Sequence, residues 1–304
     1  MYTIKYFKAL SEETRLRLFY LLLHYELNVN DIVAVLQMGQ SKISRHLKIL
    51  LDSELLVSRR DGIYIYYSGL QIDWNMDLVR FVLNNPELGK IWERDLNRAN
   101  EILKERKNKT KRFFESVAGE WDQLKSEVFG GVDLNSMISE KVHTNSTTVD
   151  LGCGTGELLV ELIPKTRNLI GVDSSVNMLE QARKRLQSKT QAVDLRLGEL
   201  EHLPLKDEEA DCAVLNMVLH YLSVPALGMR EVYRVLRPGG GFIIVDFDKH
   251  QQEWVREKFG GPWLGFDEQE IRGWLEETGF ELQEMQQIAV NKGLTVNIFL
   301  GLKN

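Results

Sequence analysis

The 304-residue sequence has few cysteines and no long apolar run. Its two cysteines, Cys153 and Cys212, are too few and too far apart along the chain to predict a disulfide framework or a four-ligand zinc site. There is no stretch of about 20 consecutive apolar residues, and the start MYTIKYFKALSEETR lacks the basic and apolar blocks of a secretory signal. These absences predict a soluble, cytoplasmic protein that does not enter a membrane.

The sequence also lacks internal repeats and low-complexity tracts. Its length and its hydrophobic share of 43% predict two folded domains rather than a disordered or fibrous chain. The net charge of −6 is unevenly distributed, because residues 1–110 carry 17 Lys+Arg against 14 Asp+Glu and the remainder carries 21 against 30. This split permits a polyanionic partner at the front of the chain and argues against one at the back.

The first 70 residues have the pattern of short helices followed by a β-hairpin. Ser11 is a candidate N-cap for an amphipathic helix, and two further helices are predicted over roughly residues 30–37 and 40–52. The dipeptide Asp61-Gly62 separates LLVSRR from IYIYYS and predicts a two-residue hairpin turn. The predicted order is therefore helix, tight turn, helix and a β-wing.

The third predicted helix has a polar face rich in hydrogen-bond donors. Arg and Gln side chains can read base edges in the major groove of DNA, and Lys and Ser side chains can hold phosphates. Arginines on the hairpin would add contacts to the DNA backbone. On composition alone, an ordinary solvated helix face is the alternative interpretation. The candidate DNA-binding residues are Gln40, Ser41, Lys42, Ser44, Arg45, His46, Arg59 and Arg60.

The front region resembles the winged helix-turn-helix of the ArsR/SmtB family of bacterial repressors over roughly residues 3–70. The resemblance is carried, in order, by LSEETRLRLFYLLL, ELNVNDIVAVL and QSKISRHLKILLDSELLVSRRDGIYIYYS. It implies a homodimer that places two recognition helices on a palindromic operator in double-stranded DNA. Where arsenic- and lead-sensing members carry two cysteines, this sequence has Asn28 and Asn30. Neutral amides are poor ligands for soft metals, so we predict no metal site there, and asparagine at this place can simply cap a helix.

The segment ELGKIWERDLNRANEILKERKNK predicts a helix between the front and back regions. Trp92, Leu96, Ala99 and Leu103 recur at alternating four- and three-residue spacing, with charged residues on the other faces. The pattern fits a connecting or dimerising helix. A solvated linker helix packed on its own domain is the alternative.

In the second half, the apolar runs TTVDL, NLIGVD, ADCAVLNM and GFIIVDF alternate with helical stretches, which is typical of a parallel α/β sheet. Gly152, Gly154 and Gly156 follow the first run at spacings of two and two, whereas the dinucleotide fingerprint requires two and three. A nicotinamide or flavin site is therefore disfavoured, although the glycines let the backbone approach a ligand closely. Asp173 ends the next run, 23 residues after Asp150, where an acid can accept both hydroxyls of a ribose.

The second half resembles the class I S-adenosylmethionine-dependent methyltransferases over about residues 112–304. After the glycine loop, the resemblance is carried by NLIGVDSS, SVNMLEQARKRL, RLGELEHLPLKD, ADCAVLNMVLHYL and REVYRVLRPGGGFIIVDF. It implies S-adenosylmethionine as cofactor and S-adenosylhomocysteine as product, with Asp150 at the methionine end, Asp173 on the ribose and Glu199 on the adenine amino group. Met178 would pack on the adenine, or is plain core. The implied cofactor residues are Asp150, Gly152, Gly154, Gly156, Asp173, Met178, Glu199, Leu200 and Asn216.

Methyl transfer from a sulfonium requires alignment of donor and acceptor and exclusion of water more than acid–base groups. A base helps where the acceptor is a hydroxyl or an amine, and the candidates are His220, Asp248 and His250. His220 has the alternative role of a wall or cap. Arsenite methylation is not expected, because that chemistry needs several active-site cysteines. Aromatic residues that either cover an acceptor pocket or belong to the core are Phe113, Phe114, Trp121, Trp254, Trp263, Phe266 and Trp274.

We therefore predict a multidomain chain. An N-terminal winged helix-turn-helix (α+β) occupies residues 1–85, a linking or dimerising helix residues 86–111, and a C-terminal α/β Rossmann-like class I methyltransferase fold residues 112–304. The first functional hypothesis is a DNA-binding regulator that also methylates a small molecule. The second is a regulator whose methyltransferase-like domain only senses S-adenosylmethionine or S-adenosylhomocysteine. The third is an enzyme whose front domain only dimerises, and the polar face of the recognition helix counts against it.

Overall fold

The computed structural model of the protein describes residues 2–70, 89–189 and 191–304. The chain forms two compact units, Met1–Arg106 and Lys107–Asn304. The predicted domain boundary after residue 85 lies outside the described residues. No helix in the described part of the chain is long and apolar enough to cross a membrane.

In the described residues of the first unit, four short helices, a small antiparallel sheet and part of a longer helix surround one apolar core. Leu18, Phe19, Ile32, Ile43 and Leu47 are almost completely buried there. The sheet has the strand order β1-β3-β2. The elements are α1 (Tyr2–Leu10), α2 (Glu13–His24), β1 (Leu27–Asn28), α3 (Val29–Leu36), α4 (Gln40–Asp52), β2 (Leu56–Asp61) and β3 (Tyr64–Gly69).

The N-cap predicted at Ser11 is wrong by one residue. Glu12 is the N-cap of α2, and its carboxylate accepts a hydrogen bond from the backbone N–H of Arg15 at 3.0 Å. The Ser11 hydroxyl instead donates to the carbonyl oxygen of Lys8 at 2.9 Å, at the end of α1. Serine is the commoner N-cap, but a glutamate at a helix start is favoured by the helix dipole, and here its carboxylate reaches the Arg15 N–H.

The hairpin turn is also displaced by one residue from its predicted place. Asp61 pairs with Tyr64 across the two strands, so the two turn residues are Gly62 and Ile63 rather than Asp61 and Gly62. Gly62 has a φ of 58°, a left-handed conformation that glycine adopts without steric cost. The glycine therefore fixes where the turn lies.

The helix α5 (Gly89–Val117) contributes residues to both units. Its predicted apolar face is confirmed in the first unit, where Trp92, Ala99 and Leu103 are buried. Asp95 on the same helix is buried as well and forms a two-pronged ion pair with Arg17 of α2, at 2.7 and 2.9 Å. Burying two charges is tolerated here because each side chain satisfies the other.

The second unit is a seven-stranded sheet flanked by helices, with the strand order β6-β5-β4-β7-β8-β10-β9. β6, β5, β4, β7 and β8 run parallel, and β10 is antiparallel to both β8 and β9. The strands are β4 (Thr147–Leu151), β5 (Asn168–Asp173), β6 (Asp194–Leu197), β7 (Ala210–Asn216), β8 (Leu236–Phe247), β9 (Phe280–Ala289) and β10 (Thr295–Lys303). The helices are α6 (Trp121–Phe129), α7 (Leu134–Lys141), α8 (Glu157–Leu162), α9 (Val176–Leu186), α10 (Pro225–Val235), α11 (Glu253–Phe259) and α12 (Glu268–Thr278).

The predicted fold class is confirmed in both units. A helical unit with a β-hairpin precedes a Rossmann-like α/β unit whose sheet is mostly parallel. The central strands β4, β7 and β8 are mostly buried on both faces because helices cover both sides of the sheet. The carboxyl ends of β4, β5 and β7 meet at one edge, which is where ligands bind in open parallel sheets.

Candidate functional site

The helix α4 presents a polar surface in the first unit. Its five exposed residues that were predicted to contact DNA form what we term the recognition face: Gln40, Ser41, Lys42, Ser44 and Arg45. The side chains of Ile43, Leu47 and Leu50 point into the core. Donors and cations therefore lie together on one side of an exposed helix, as DNA contact requires.

His46 was predicted to belong to this polar face, and the structure corrects that prediction. Only 9% of its surface is exposed. Its Nδ1 lies 3.7 Å from a carboxylate oxygen of Glu12, and burial lowers the pKa of the ring overall. His46 is therefore a neutral core histidine rather than a base-reading residue.

The two hairpin arginines differ in how freely they can reach DNA. Arg59 is partly buried, and its guanidinium donates to both carboxylate oxygens of Glu26 at 2.5 and 3.1 Å. Arg60 is exposed, and its Nε donates to the carbonyl oxygen of Gly62 at 3.1 Å. Arg60 thus remains the better candidate for a phosphate contact, because the charge of Arg59 is already neutralised.

Asn28 and Asn30 occupy the start of α3, as predicted. Asn28 is the N-cap and forms a capping box with Asp31, in which each side chain accepts the other residue's backbone N–H at 3.0 to 3.1 Å. Arg106 in turn donates to the carboxylate of Asp31. Asn28 is buried, and its amide oxygen is used in holding the helix end. The described residues contain no cluster of His, Cys, Asp or Glu that could hold a metal ion.

The second unit contains a cavity of about 470 Å³ at the carboxyl ends of its central strands. Eight of the predicted cofactor residues line it: Asp150, Gly152, Gly154, Asp173, Met178, Glu199, Leu200 and Asn216. The ninth, Gly156, does not. It begins α8, where an added Cβ would lie 3.1 Å from Cβ of Ala182, so its role is close packing between helices.

The glycine loop is shaped by backbone conformations that other residues avoid. Gly152 and Gly154 have φ values of 76° and 53°. A Cβ at Gly152 would lie 2.5 Å from a methyl of Val218, so only glycine fits at this position. At Gly154 the space is open on the cavity side, which leaves its backbone accessible to a ligand.

Two carboxylates lie at the strand ends beneath this loop. Both oxygens of Asp173 accept backbone N–H groups, from Gly154 at 2.9 Å and from Ser175 at 2.8 Å. Asp150 has only 2% of its surface exposed, and no described residue donates a hydrogen bond to its side chain. Burial, and secondarily the charge of Asp173, raise the pKa of Asp150 to about 7. The site therefore holds negative charge at an energetic cost that a cationic ligand can relieve.

Two glutamates that follow β6 contact Lys107 of α5. Its ammonium donates to Glu199 at 3.0 Å and to Glu201 at 2.8 Å. Burial by itself lowers the pKa of Lys107, but these two carboxylates raise that pKa overall. Met178 is buried on the cavity wall, with 1% of its surface exposed. Sequence reasoning missed Lys107, because nothing in the pattern links residues 92 positions apart.

A polar network behind the glycine loop was also missed. Thr155 donates to Asp122 at 2.7 Å, and Arg185 donates to the hydroxyl of Thr155 at 2.8 Å and to its carbonyl oxygen at 3.0 Å. Arg185 also forms an ion pair with Asp122. The network ties α6 and α9 to the loop, and so fixes the wall of the cavity.

The remaining part of the cavity is aromatic and weakly polar. Phe114 packs edge-on against Trp121 and Tyr221, with ring centroids 5.2 and 4.7 Å apart, and all three line the cavity. The amide of Asn216 donates to Asn135 at 3.3 Å, also on the wall. Of the seven aromatic residues singled out in the sequence, Phe114 and Trp121 line the cavity. Trp263 and Phe266 are buried core.

The three candidate catalytic residues do not line the cavity. His220 has 2% of its surface exposed, and its Nδ1 lies 2.7 Å from Asp246, which also accepts its backbone N–H. Burial, followed by the charge of His220, lowers the pKa of His250 to about 4. Asp248 accepts hydrogen bonds from Asn297 at 3.0 Å and from a glutamine at 3.4 Å. Each of these groups is held by its neighbours rather than presented to a ligand.

Comparison with known proteins finds a family match in each of the two units. Residues 149–244 match the family model described as a methyltransferase domain, and residues 12–58 match the model of the bacterial regulatory proteins of the arsR family. The front of the chain is thus similar to the arsR-family regulators, and the second unit is similar to a methyltransferase domain. The first match spans the glycine loop together with Asp150, Asp173, Glu199 and Glu201. The second runs from α2 into the first half of β2.

Curated relatives match parts of the chain. It is 40% identical over 105 residues to the 37.1 kDa protein of transposon TN4556 from Streptomyces fradiae, which covers 34% of this chain and 30% of that protein. It is 28% identical over 152 residues to the demethylmenaquinone methyltransferase of Lactiplantibacillus plantarum, covering 47% of this chain and 64% of that enzyme. The chain thus spans less than two-thirds of the length of either relative.

Solved structures share the methyltransferase fold. The methyltransferase in the complex with the Haloferax volcanii Trm112 activator superimposes with a TM-score of 0.54 at 20% identity, covering 62% of this chain and 96% of that one. At this level of identity the likeness concerns the fold.

Proposed function

We propose that the protein is a DNA-binding regulator of the ArsR type whose methyltransferase domain transfers a methyl group from S-adenosylmethionine to a small molecule. The observation that carries the proposal is the cavity in which Asp150, Asp173 and the accessible backbone of Gly154 converge. These groups suit a ligand with a cationic end and a ribose. S-adenosylmethionine supplies an electrophilic methyl group on a sulfonium when bound.

The residues of the cavity fit this cofactor from end to end. Asp150 would attract the positive charge of the methionine end, and Asp173, whose oxygens keep free lone pairs, would accept the ribose hydroxyls. Glu199 would accept from the adenine amino group, and Met178 would form an apolar wall for the base. Leu200 would offer its backbone N–H to the adenine.

The chain's contribution to methyl transfer is alignment and water exclusion. Phe114, Trp121 and Tyr221 enclose the part of the cavity left for an acceptor, and Asn216 can orient a hydroxyl or an amine there. His220, which is held by Asp246, supports the cavity wall behind Tyr221, because the centroids of the His220 and Tyr221 rings lie 4.0 Å apart. In this proposal none of His220, Asp248 and His250 needs to act as a base.

The DNA-binding role is proposed from the recognition face and from the exposed Arg60. The partner is a palindromic operator in double-stranded DNA, bound by a homodimer in the cytoplasm. The methyltransferase domain carries the acidic excess of the chain, so its acceptor is a small molecule rather than a nucleic acid.

A sensing role without turnover is the alternative, and one observation favours it. The candidate catalytic residues do not line the cavity. The deciding experiment is an assay with methyl-labelled S-adenosylmethionine and pooled cell metabolites, using Asp173→Ala as the inactive control. Labelled product formed by the parent and absent with the variant supports turnover. Cofactor binding without any labelled product would favour sensing.

A further inference from the structure

Lys107 joins two carboxylates at the edge of the cavity. The side chain of Glu201 is 15% exposed and that of Glu199 is 47% exposed, so the ammonium lies between an inner and an outer acid. All three residues line the cavity. Both hydrogen bonds go to the Oε2 atoms of the two glutamates.

This arrangement leaves the second oxygen of Glu199 available. Within the described part of the chain, no hydrogen bond reaches Oε1 of Glu199. An ionised carboxylate only accepts, so this oxygen can receive an N–H and repels a carbonyl oxygen. Without the ammonium, Glu199 and Glu201 would repel each other, and Glu199 would lose the contact that holds its carboxylate at the cavity edge.

We propose that Lys107 is a positioning residue for base recognition: by holding Oε2 of Glu199, it presents Oε1 to the exocyclic amino group of adenine and so selects an amino-purine over an oxo-purine nucleoside. The inference rests on the proposed function, because it takes the cavity as the S-adenosylmethionine site. It assigns a role to α5, a helix that precedes the sheet and its glycine loop.

The test compares S-adenosylhomocysteine with S-inosylhomocysteine, in which a carbonyl replaces the amino group. Calorimetry on the full chain gives the ratio of the two affinities. The parent is expected to prefer the adenine ligand by about tenfold or more, and Lys107→Met to reduce that ratio by about tenfold. Lys107→Arg should keep the ratio, because a guanidinium can also bridge two carboxylates.

Lys111→Met is the matched control. Lys111 lies one turn further along α5 and lines the same cavity, and the described residues offer it no ion-pair partner. Its replacement should leave the ratio unchanged. Unfolding curves for every variant will show whether the fold is retained.

Three results would overturn the inference. If Lys107→Met weakens both ligands equally, Lys107 has a structural role only. If the ratio rises in that variant, the ammonium itself contacts the base. If the parent binds neither ligand, the cavity is not a site for S-adenosylmethionine, and the proposed function fails together with the inference.

Discussion

Replacing Asp150 by asparagine should stabilise the unliganded protein while weakening its cofactor site. The carboxylate is buried, and its pKa is raised from 3.8 to about 7 by burial and by the charge of Asp173. Above pH 7 the folded chain must therefore carry a charge in a place where that charge is disfavoured. An amide of the same shape removes this cost.

The magnitude follows from linkage between proton binding and folding. Between pH 4 and pH 7 the folded state of the parent holds a proton that the unfolded state has lost, so the stability of the parent falls as pH rises. A shift of about three pKa units corresponds to about 4 kcal/mol when complete, of which about 2–3 kcal/mol develops between pH 5 and pH 8. The stability of Asp150→Asn relative to the parent should increase by that amount over this range.

The assay is denaturant unfolding of parent and variant in parallel at half-unit steps from pH 5 to pH 8, so that titrating groups not coupled to Asp150 cancel in the difference. Asp122→Asn is the matched control. Burial by itself raises the pKa of Asp122, but hydrogen bonds from Arg185 and Thr155 lower that pKa overall. The ionised Asp122 carboxylate therefore stabilises the fold to its full extent above pH 5. Asp122→Asn should be less stable than the parent, and the difference in their free energies of unfolding should not change with pH.

Calorimetry with S-adenosylmethionine completes the experiment. Asp150→Asn should bind the cofactor more weakly than the parent, because the cationic end loses its counter-charge. A pH-independent difference in stability between parent and Asp150→Asn would refute the reasoning. So would a variant that is less stable than the parent at pH 8.

The remaining predictions concern both units. Arg45→Ala should weaken operator binding by about 1–3 kcal/mol if Arg45 reads a guanine, whereas Lys42→Ala should mainly flatten the salt dependence, and gel-shift titrations that detect no DNA affinity even at low salt would contradict both. Asp173→Ala should reduce binding of S-adenosylmethionine, as should Gly154→Val, because a branched residue is strained at a φ of 53°; parent-like calorimetric affinity for both variants would show that the site is misplaced. Arsenite or lead should not release the operator, and release that depends on Asn28 would disprove this. Cofactor or acceptor should change operator affinity by about 1–3 kcal/mol, whereas identical binding curves with and without ligand would leave two independent activities on one chain.

The fold and much of the cavity wall were predictable because they depend on local order along the chain. Asp150 and Asp173 lie at the carboxyl ends of two short strands, the glycine loop follows the first of them, and parallel strands bring such ends to one edge. Contacts between side chains that lie far apart in the sequence were not predictable. The contact of Lys107 with Glu199 and that of Asp122 with Arg185 depend on how helices pack on the sheet, which leaves no periodic trace.

The misassignment of His46 had a signal that was available. Ile43, His46, Leu47 and Leu50 stand at positions i, i+3, i+4 and i+7, the spacing of one buried helix face. A histidine in the middle of that series belongs with its apolar neighbours. The prediction relied on the polar chemistry of the histidine side chain, whereas its position on the apolar face of the helix would have predicted its burial.

The burial of both natural cysteines offers a practical route to measuring the proposed dimer. Cys153 and Cys212 are 7% and 1% exposed, and burial raises the pKa of both thiols, that of Cys212 to about 12. Because a thiolate is the reactive form, neither should react with maleimide reagents at neutral pH. A spin label or fluorophore attached through Ser44→Cys would therefore report only from the recognition face. The spacing of the two helices, with and without operator or cofactor, then becomes measurable from one substitution in an otherwise natural chain.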